Sequence, residues 1–339
     1  MSKAAELAAL IGSQTALSNR NLIVNGAMQV AQRGTSSTGV TGGSYQTVDR
    51  FRTAYNGTPD QLEVTHEQST DAPTGFSNSL KLTVTTAETT LGVNERIRLK
   101  QRIEGQNLQH LKYGTSDAEY LTLSFYVKSN VTGTYGIHFD NRDSSRSVCS
   151  SYTISAANTW EKKTVSIAGD TTGSFDNDNA RSLDVCWVLA AGTDYTSGTF
   201  ATSWESDTNA NNAPSGQADI TDTVSNSWQI TGLQLEVGDT ATPFEHRSYG
   251  EELLLCQRYY SEQFIRFDGV TNYSAWRYSY DFPVYMRTAP TLTKAAGFSV
   301  DGTGTGSFEN VSTQGFVFLN GGSSDGKRWS GTVLADGEL

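Results

Sequence analysis

The sequence predicts a mainly β protein: an antiparallel jelly-roll β-sandwich with a short N-terminal helix and a smaller C-terminal β domain. Three observations predict it. From Asn21 onward apolar residues recur at every second position in short runs, the period of a half-buried strand. Turn clusters such as Asn130–Gly133 and Gly169–Gly173 separate the runs. No stretch of helical period lies between them, which excludes parallel βαβ units. Seven or more antiparallel strands over about 220 residues make a two-sheet sandwich, with the jelly roll as the expected topology.

The elements follow in chain order. Ser2 can cap a helix that places Ala4, Leu7, Ala8 and Ile11 on one face and stops at Gly12. A helix of about ten residues is marginal alone, so this one needs a partner: another copy, another protein or its own domain. Residues 1–20 are therefore read as an anchor or oligomerisation segment, with Leu7, Leu10 and Ile11 as its contact residues. Residues 21–247 form the sandwich. Leu80–Val84, Ile97–Leu99, Leu121–Val127, Tyr135–Phe139, Val165–Ile167, Leu183–Leu189 and Ile230–Val237 are its strands, each expected to bury one face, with Leu183–Leu189 apolar on both faces toward its end. Arg96, Arg98 and Lys100 alternate with Ile97 and Leu99, and His138 stands on the polar side of its strand, where it is expected to be solvated. Gly192–Asn226 reads as a long loop between two core strands, and loops of that length tend to be functional or mobile. Residues 248–339 form the small β domain. It opens on a short helix carrying Glu251, Leu254, Leu255 and Arg258 and continues with strands at Trp276–Phe282 and Phe316–Phe318. A domain this small has little core to spare, so oligomer contacts are expected to help it.

Charge excludes several partners. The 339 residues carry a net charge of −11. Phosphate backbones and anionic membrane surfaces both need a positive footprint, so neither nucleic acid nor membrane is an expected partner. The acidity is concentrated between Gly169 and Asn226, with nine acidic residues and one basic one, Arg181, for −8. No apolar run approaches membrane-spanning length. Three cysteines, Cys149, Cys186 and Cys256, give no disulfide framework, and the chain is expected to fold in a reducing cytoplasm.

Catalytic motifs are missing from the sequence. None of the four histidines sits in an HExxH pattern, and there is no GxSxG and no phosphate-binding Gly loop. No cofactor is expected. Asp176-Asn177-Asp178 is like the opening of a calcium loop, but Ala180 and Arg181 break the EF-hand pattern. Asp176 and Asp178 are thus candidates for a structural calcium in a loop of another kind, beside the reading as a solvated loop. A glycosidase needs two carboxyls at a fixed separation, and sequence alone cannot pair any two of the 36 acids. The remaining lead is aromatic. Tyr195 and Trp204 in the long loop, Tyr273, Trp276 and Tyr278 in the second domain, and Tyr45 and Tyr55 near the first strands offer flat apolar faces beside Asp and Asn, which suits a sugar. The competing reading is that these rings anchor loops or fill a subunit interface.

Several segments occur together in a specific order. They are Lys3–Gly12, Asn21–Met28 (NLIVNGAM), Gln32–Gly34, Asp49–Phe51, Ile230–Gly238 (ITGLQLEVG), Phe244–Leu253, Cys256–Tyr260 and Phe282–Arg287. This ordered set resembles tailed-bacteriophage tail fibre and virion structural proteins with a carbohydrate-binding-like, galactose-binding-like jelly-roll domain. The resemblance implies a non-enzymatic virion component, made in the bacterial host's cytoplasm, often a homotrimer, attached to tail or capsid proteins through its N-terminal segment and contacting host surface polysaccharide. A host-glycan receptor-binding module as the main role, or a polysaccharide depolymerase, are the alternatives. The resemblance transfers no sugar-binding residue.

Overall fold

The computed structural model describes residues 20–57, 59–268, 275–300, 306–321 and 328–339. The expected helical contacts Leu7, Leu10 and Ile11 lie outside the described residues, as does Tyr273. The chain divides into two units, Met1–Arg247 and Ser248–Leu339.

Among the described residues the first unit is an antiparallel jelly-roll sandwich of twelve strands: β1 (Ser36–Val40), β2 (Arg52–Asn56), β3 (Glu63–Ser69), β4 (Ser79–Thr86), β5 (Arg96–Glu104), β6 (Leu121–Ser129), β7 (Gly133–Asn141), β8 (Arg146–Ile154), β9 (Glu161–Ile167), β10 (Arg181–Ala191), β11 (Glu205–Ser206) and β12 (Ser227–Val237). The first sheet has the order β1-β3-β4-β12-β6-β9 and the second β11-β8-β7-β10-β5-β2. From β5 onward the chain passes repeatedly between the sheets, so both inner faces are assembled from strands distant in sequence. Leu80, Leu82, Leu121, Leu123, Phe125, Ile230 and Leu235 meet Ile97, Leu99, Ile137, Phe139, Val185 and Trp187 in one core. Trp187 meets Phe125 edge-on at 6.0 Å. The buried Trp228 indole donates to the Tyr152 hydroxyl at 3.1 Å, so its polar atom is satisfied inside the core.

Three expectations are corrected. First, β5 is buried on both faces, as β10 is; Arg96, Arg98 and Lys100 are 4–7% exposed rather than solvated. Second, His138 is 1% exposed, not on a wet face. Third, Gly192–Asn226 is not an open loop. It holds a single helical turn, α1 (Thr193–Thr196), then β11 and a short 3-10 turn (Asn209–Asn211), and it covers the outer face of the second sheet. The Ala201 and Asn212 carbonyls accept from the Cys149 amide and thiol, while Gln217 accepts from Gly136 N and donates to the Val188 carbonyl. One cause underlies all three: the cover is polar in composition, so it looks like solvent-facing loop, and the face beneath it is polar because its partners are.

Four of the segments that carry the resemblance, Asn21–Met28, Asp49–Phe51, Ile230–Gly238 and the one containing Arg247, are joined by hydrogen bonds. Asn21 donates to Leu233 O at 2.9 Å and accepts from the amides of Ile23 and Leu235. Asn25 binds the carbonyls of Val30 and Asp49, and Arg247 donates to the carbonyls of Ile23 and Asn21. Gly26 lies against β12 so closely that a Cβ would stand 2.2 Å from Leu233 O. NLIVNGAM and ITGLQLEVG are therefore framework: one buried network closes the start of the sandwich onto its last strand.

The second unit begins with α2 (Tyr249–Gln257). Ser248 and Glu251 form a capping box: Ser248 Oγ accepts from Glu251 N, and Glu251 Oε2 accepts from Ser248 N at 2.9 Å. Ser248→Ala is expected to cost about 1 kcal/mol, measurable as a lower denaturant midpoint for this unit; an unchanged midpoint would show the cap to be idle. Strands β13 (Tyr260–Asp268), β14 (Ala275–Asp281), β15 (Thr291–Lys294), β16 (Ser299–Val300), β17 (Ser307–Glu309), β18 (Gly315–Gly321) and β19 (Arg328–Asp336) follow. β19 pairs with β13, β15 and β16, and β18 with β14 and β17, all antiparallel. Ile265, Phe282, Met286, Phe316, Phe318, Trp329, Val333 and Ala335 form their core.

Candidate functional site

The sequence-selected aromatics divide. Tyr195 is buried at 6% exposure; the Arg96 guanidinium sits 4.0 Å from its ring centre and its hydroxyl reaches Asn94 O at 3.3 Å. It pins the cover to the sheet and offers a ligand no face. Trp276 is half-buried against Phe267 at 5.2 Å, and Tyr278 is 50% exposed beside Tyr280 at 5.0 Å. Tyr45 lies between the guanidinium groups of Arg33 and Arg52, at 5.3 and 5.8 Å. Tyr55 is half-buried on β2, and burial raises its hydroxyl pKa. The Asp176 amide donates to the Asp143 carboxylate, and the Asp178 carboxylate accepts from Ala180 N. Among the described residues no group of three His, Cys, Asp or Glu side chains gathers in metal-binding geometry, so these two have no third ligand there.

Trp204 differs: it lines a cavity of about 260 Å³ with Arg146, Asp170, Thr172, Thr202 and Ser203. Local pairing places it there. β11, the two residues after Trp204, pairs Glu205 with Ser147 and Ser206 with Arg146 at the start of β8. Asp170 comes from the turn after β9, where Gly173 lets the pair pack closely: a Cβ would lie 2.6 Å from the Asp170 carboxylate and 2.7 Å from Arg146 Cδ. Asp170 is 1% exposed and accepts from Arg146 Nε at 2.7 Å and Thr172 N at 3.0 Å. Arg146 Nη2 donates to Trp204 O at 3.0 Å, and Trp204 Nε1 donates to Ala168 O at 2.8 Å. The indole stands edge-on to Tyr113 at 5.6 Å, and Tyr113 stacks on Phe175 at 5.1 Å. The site is thus a fixed aromatic wall, an ion pair between buried Asp170 and half-buried Arg146, and a rim of hydroxyls. It can hold a small polyol against an apolar face while offering donors and acceptors. Arg146 carries no sequence signal; the signal for Asp170 and Thr172 is the Gly169–Gly173 turn itself.

A second groove of about 470 Å³ lies on the first unit, bordered by Phe76, Tyr126, Lys162, Gly232, Phe244 and His246. The Phe76 ring packs on Tyr126, Phe244 and His246 at 5.5, 5.0 and 5.4 Å. Phe244 and His246 belong to one of the segments that carry the resemblance, and Phe76 gave no sequence signal.

Beneath the cover lies a row of polar side chains. Register aligns Cys149, His138, Cys186, Lys100 and Arg52 across β8, β7, β10, β5 and β2. His138 Nε2 lies 3.5 Å from Asp207. Burial opposes the imidazolium, but hydrogen bonds to Asp207 and Cys186 outweigh it and raise the His138 pKa. The His138 hydrogen bond, against burial, holds the Asp207 carboxyl far below the usual carboxylate range. Burial pushes the Cys149 thiol up, which keeps it neutral.

No family model matches this chain, and no curated protein matches it. Among solved structures it is similar to the enzymatically active domain of tailspike protein 4 of bacteriophage CBA120, at 14% identity over 64% of this chain and 21% of that one, with a TM-score of 0.33. This chain thus spans about a fifth of the tailspike chain. It is also similar to a putative sugar binding protein from Bacteroides thetaiotaomicron, at 14% identity over 64% and 99% of the two chains, TM-score 0.34. A family 11 carbohydrate-binding module from Clostridium thermocellum aligns at 9% identity over 61% and 98%, TM-score 0.32.

Proposed function

We propose that this chain is a non-catalytic, glycan-contacting structural component of a tailed-phage virion, with the cavity beside Trp204 as its saccharide site. The observation that carries the glycan reading is the fixed indole edge beside the Asp170–Arg146 pair and a hydroxyl-rich rim, the mixture of apolar face and oriented polar groups that a sugar ring matches. Asp170 is the one carboxylate on the cavity lining and is committed to Arg146, which favours binding over glycoside hydrolysis, where two carboxyls act together. The ordered segments from NLIVNGAM to Phe282–Arg287 support the virion role, with residues 1–20 as the attachment and trimerisation segment.

A glycan array of host surface polysaccharides tests the site. Binding is expected, and Trp204→Ala is expected to weaken it about 30-fold, the loss of an aromatic anchor. Binding that survives the substitution would move the site elsewhere. Deleting residues 2–19 is expected to abolish incorporation into particles; full incorporation would refute the attachment role. Release of reducing ends from host polysaccharide would replace the binding reading with a depolymerase.

A further inference from the structure

β5 places Arg96, Arg98, Lys100 and Arg102 at alternate positions, so all four point to the outer face of the second sheet. The lower half of this row has a counter-charge. Asp184, on the neighbouring β10, accepts from Lys100 Nζ at 2.9 Å and Arg181 Nε at 2.6 Å, and lies 3.9 Å from Arg102. The upper half is not. Arg96 is 4% exposed and Arg98 7%, and among the described residues neither forms an ion pair. Arg96 Nε and Nη1 and Arg98 Nε are buried without a hydrogen-bond partner. Arg98 Nη2 has the Asn56 side-chain oxygen at 2.6 Å, and Arg96 has only the Tyr195 ring. The carboxylates nearby are engaged: Asp207 with His138 and Asn212, and Glu95 with Gly92 N at 2.8 Å.

Two adjacent guanidinium groups buried without a counter-charge are unfavourable. Arg96 does not escape by losing its proton. Burial and then the Arg98 charge push Arg96 down to about 10, still protonated at neutral pH. The free N–H groups match the fork that binds a planar oxyanion in bidentate fashion. The approach is from the edge strand β2, where Arg52 and Asn56 are half-buried and Gly57 is exposed.

The geometry points to an oxyanion site formed by Arg96 and Arg98 with Asn56, which takes the carboxylate or sulfate group of an acidic saccharide. This deepens the glycan reading and rests on it for the source of the anion, but the site is distinct from the Trp204 cavity, so the two can fail separately. The test is calorimetric titration of the full chain with sodium sulfate, glucuronate, a uronate oligomer and a neutral oligosaccharide, at ionic strength matched with sodium chloride. Thermal unfolding is followed in the same solutions.

The charged ligands are expected to bind saturably and raise the midpoint above the chloride control, the uronate oligomer most. Arg96→Met and Arg98→Met are expected to weaken them at least about 10-fold, whereas Lys81→Met on the first sheet keeps the full response. If the variants do not fold, the unsubstituted chain still decides. No oxyanion response beyond chloride overturns the site, and so does an undiminished response in Arg96→Met. Sulfate binding without uronate binding overturns the acidic-saccharide assignment. The neutral oligosaccharide reports separately on the Trp204 cavity.

Discussion

Asp184→Asn is expected to destabilise the sandwich by about 3–5 kcal/mol, the cost of leaving buried cations without their counter-charge. For a unit of this size that corresponds to a fall in midpoint of roughly 10 °C. Asp184 is 0% exposed on β10 and is the carboxylate that Lys100, Arg181 and Arg102 share. The amide can still accept a hydrogen bond but carries no charge. Lys100→Met added to Asp184→Asn is therefore expected to recover part of the loss, because the two residues share one interaction. The effect also depends on pH. Burial pushes the Asp184 carboxyl up, but the Arg181 hydrogen bond and the Lys100 charge outweigh it and leave it below its ordinary value. A group with a depressed folded pKa contributes stability that is present above its unfolded value, about 3.9, and is lost as pH falls through the folded value. Denaturant unfolding at pH 7 and at pH 3 or lower is expected to show the gap between parent and variant narrowing in acid. A gap that stays constant would mean that Asp184 stabilises by shape and not by charge.

Asp184 also shows what the sequence could and could not reveal. It falls in the acidic stretch Gly169–Asn226, which reads as a solvated region with a charge of −8. In the structure Asp170, Asp184 and Asp207 from that stretch each hold a cation or histidine on another element: Arg146, Lys100 and His138. Alternation located β4, β6, β7, β9, β10 and β12 because each carries a clean apolar face toward the core. It did not single out β1, β3 or β8, whose runs SSTGV, EVTHEQS and RSVCSSYTI mix small and polar residues on both faces. It found β5 but not what its basic face contacts, because periodicity reports that two faces differ and not whether the polar one is wet. The same limit separates Tyr195 from Trp204. Both are aromatic residues in one polar stretch, and only tertiary pairing makes one a buried clamp under Arg96 and the other a cavity wall. The partners of Trp204 lie far away in sequence, at Arg146 and Asp170, and are brought in by the two-residue pairing of β11 with β8.

Trp329→Ala is expected to unfold the C-terminal unit at temperatures where the sandwich stays folded. Trp329 is 1% exposed on β19, the strand that holds β13, β15 and β16 together. Its ring stacks on Phe267 at 4.4 Å and packs on Phe318 at 5.2 Å, and its Nε1 donates to the Tyr280 hydroxyl at 2.9 Å. Truncating a fully buried tryptophan costs about 3–5 kcal/mol. Stability scales at roughly 0.05–0.15 kcal/mol per residue, so for a unit the size of Ser248–Leu339 that loss is a large share of the total. Among the described residues its core cluster holds eight buried apolar residues, and the cavity cannot be refilled without moving the others. The same substitution at Trp187 removes a similar side chain from the much larger core of the first unit, which has more stability to lose and is expected to remain folded. Limited proteolysis of Trp329→Ala should therefore cut within 248–339 and leave a resistant fragment ending near Arg247, while calorimetry retains the sandwich transition. A single transition lowered for the whole chain would show instead that the two units unfold as one.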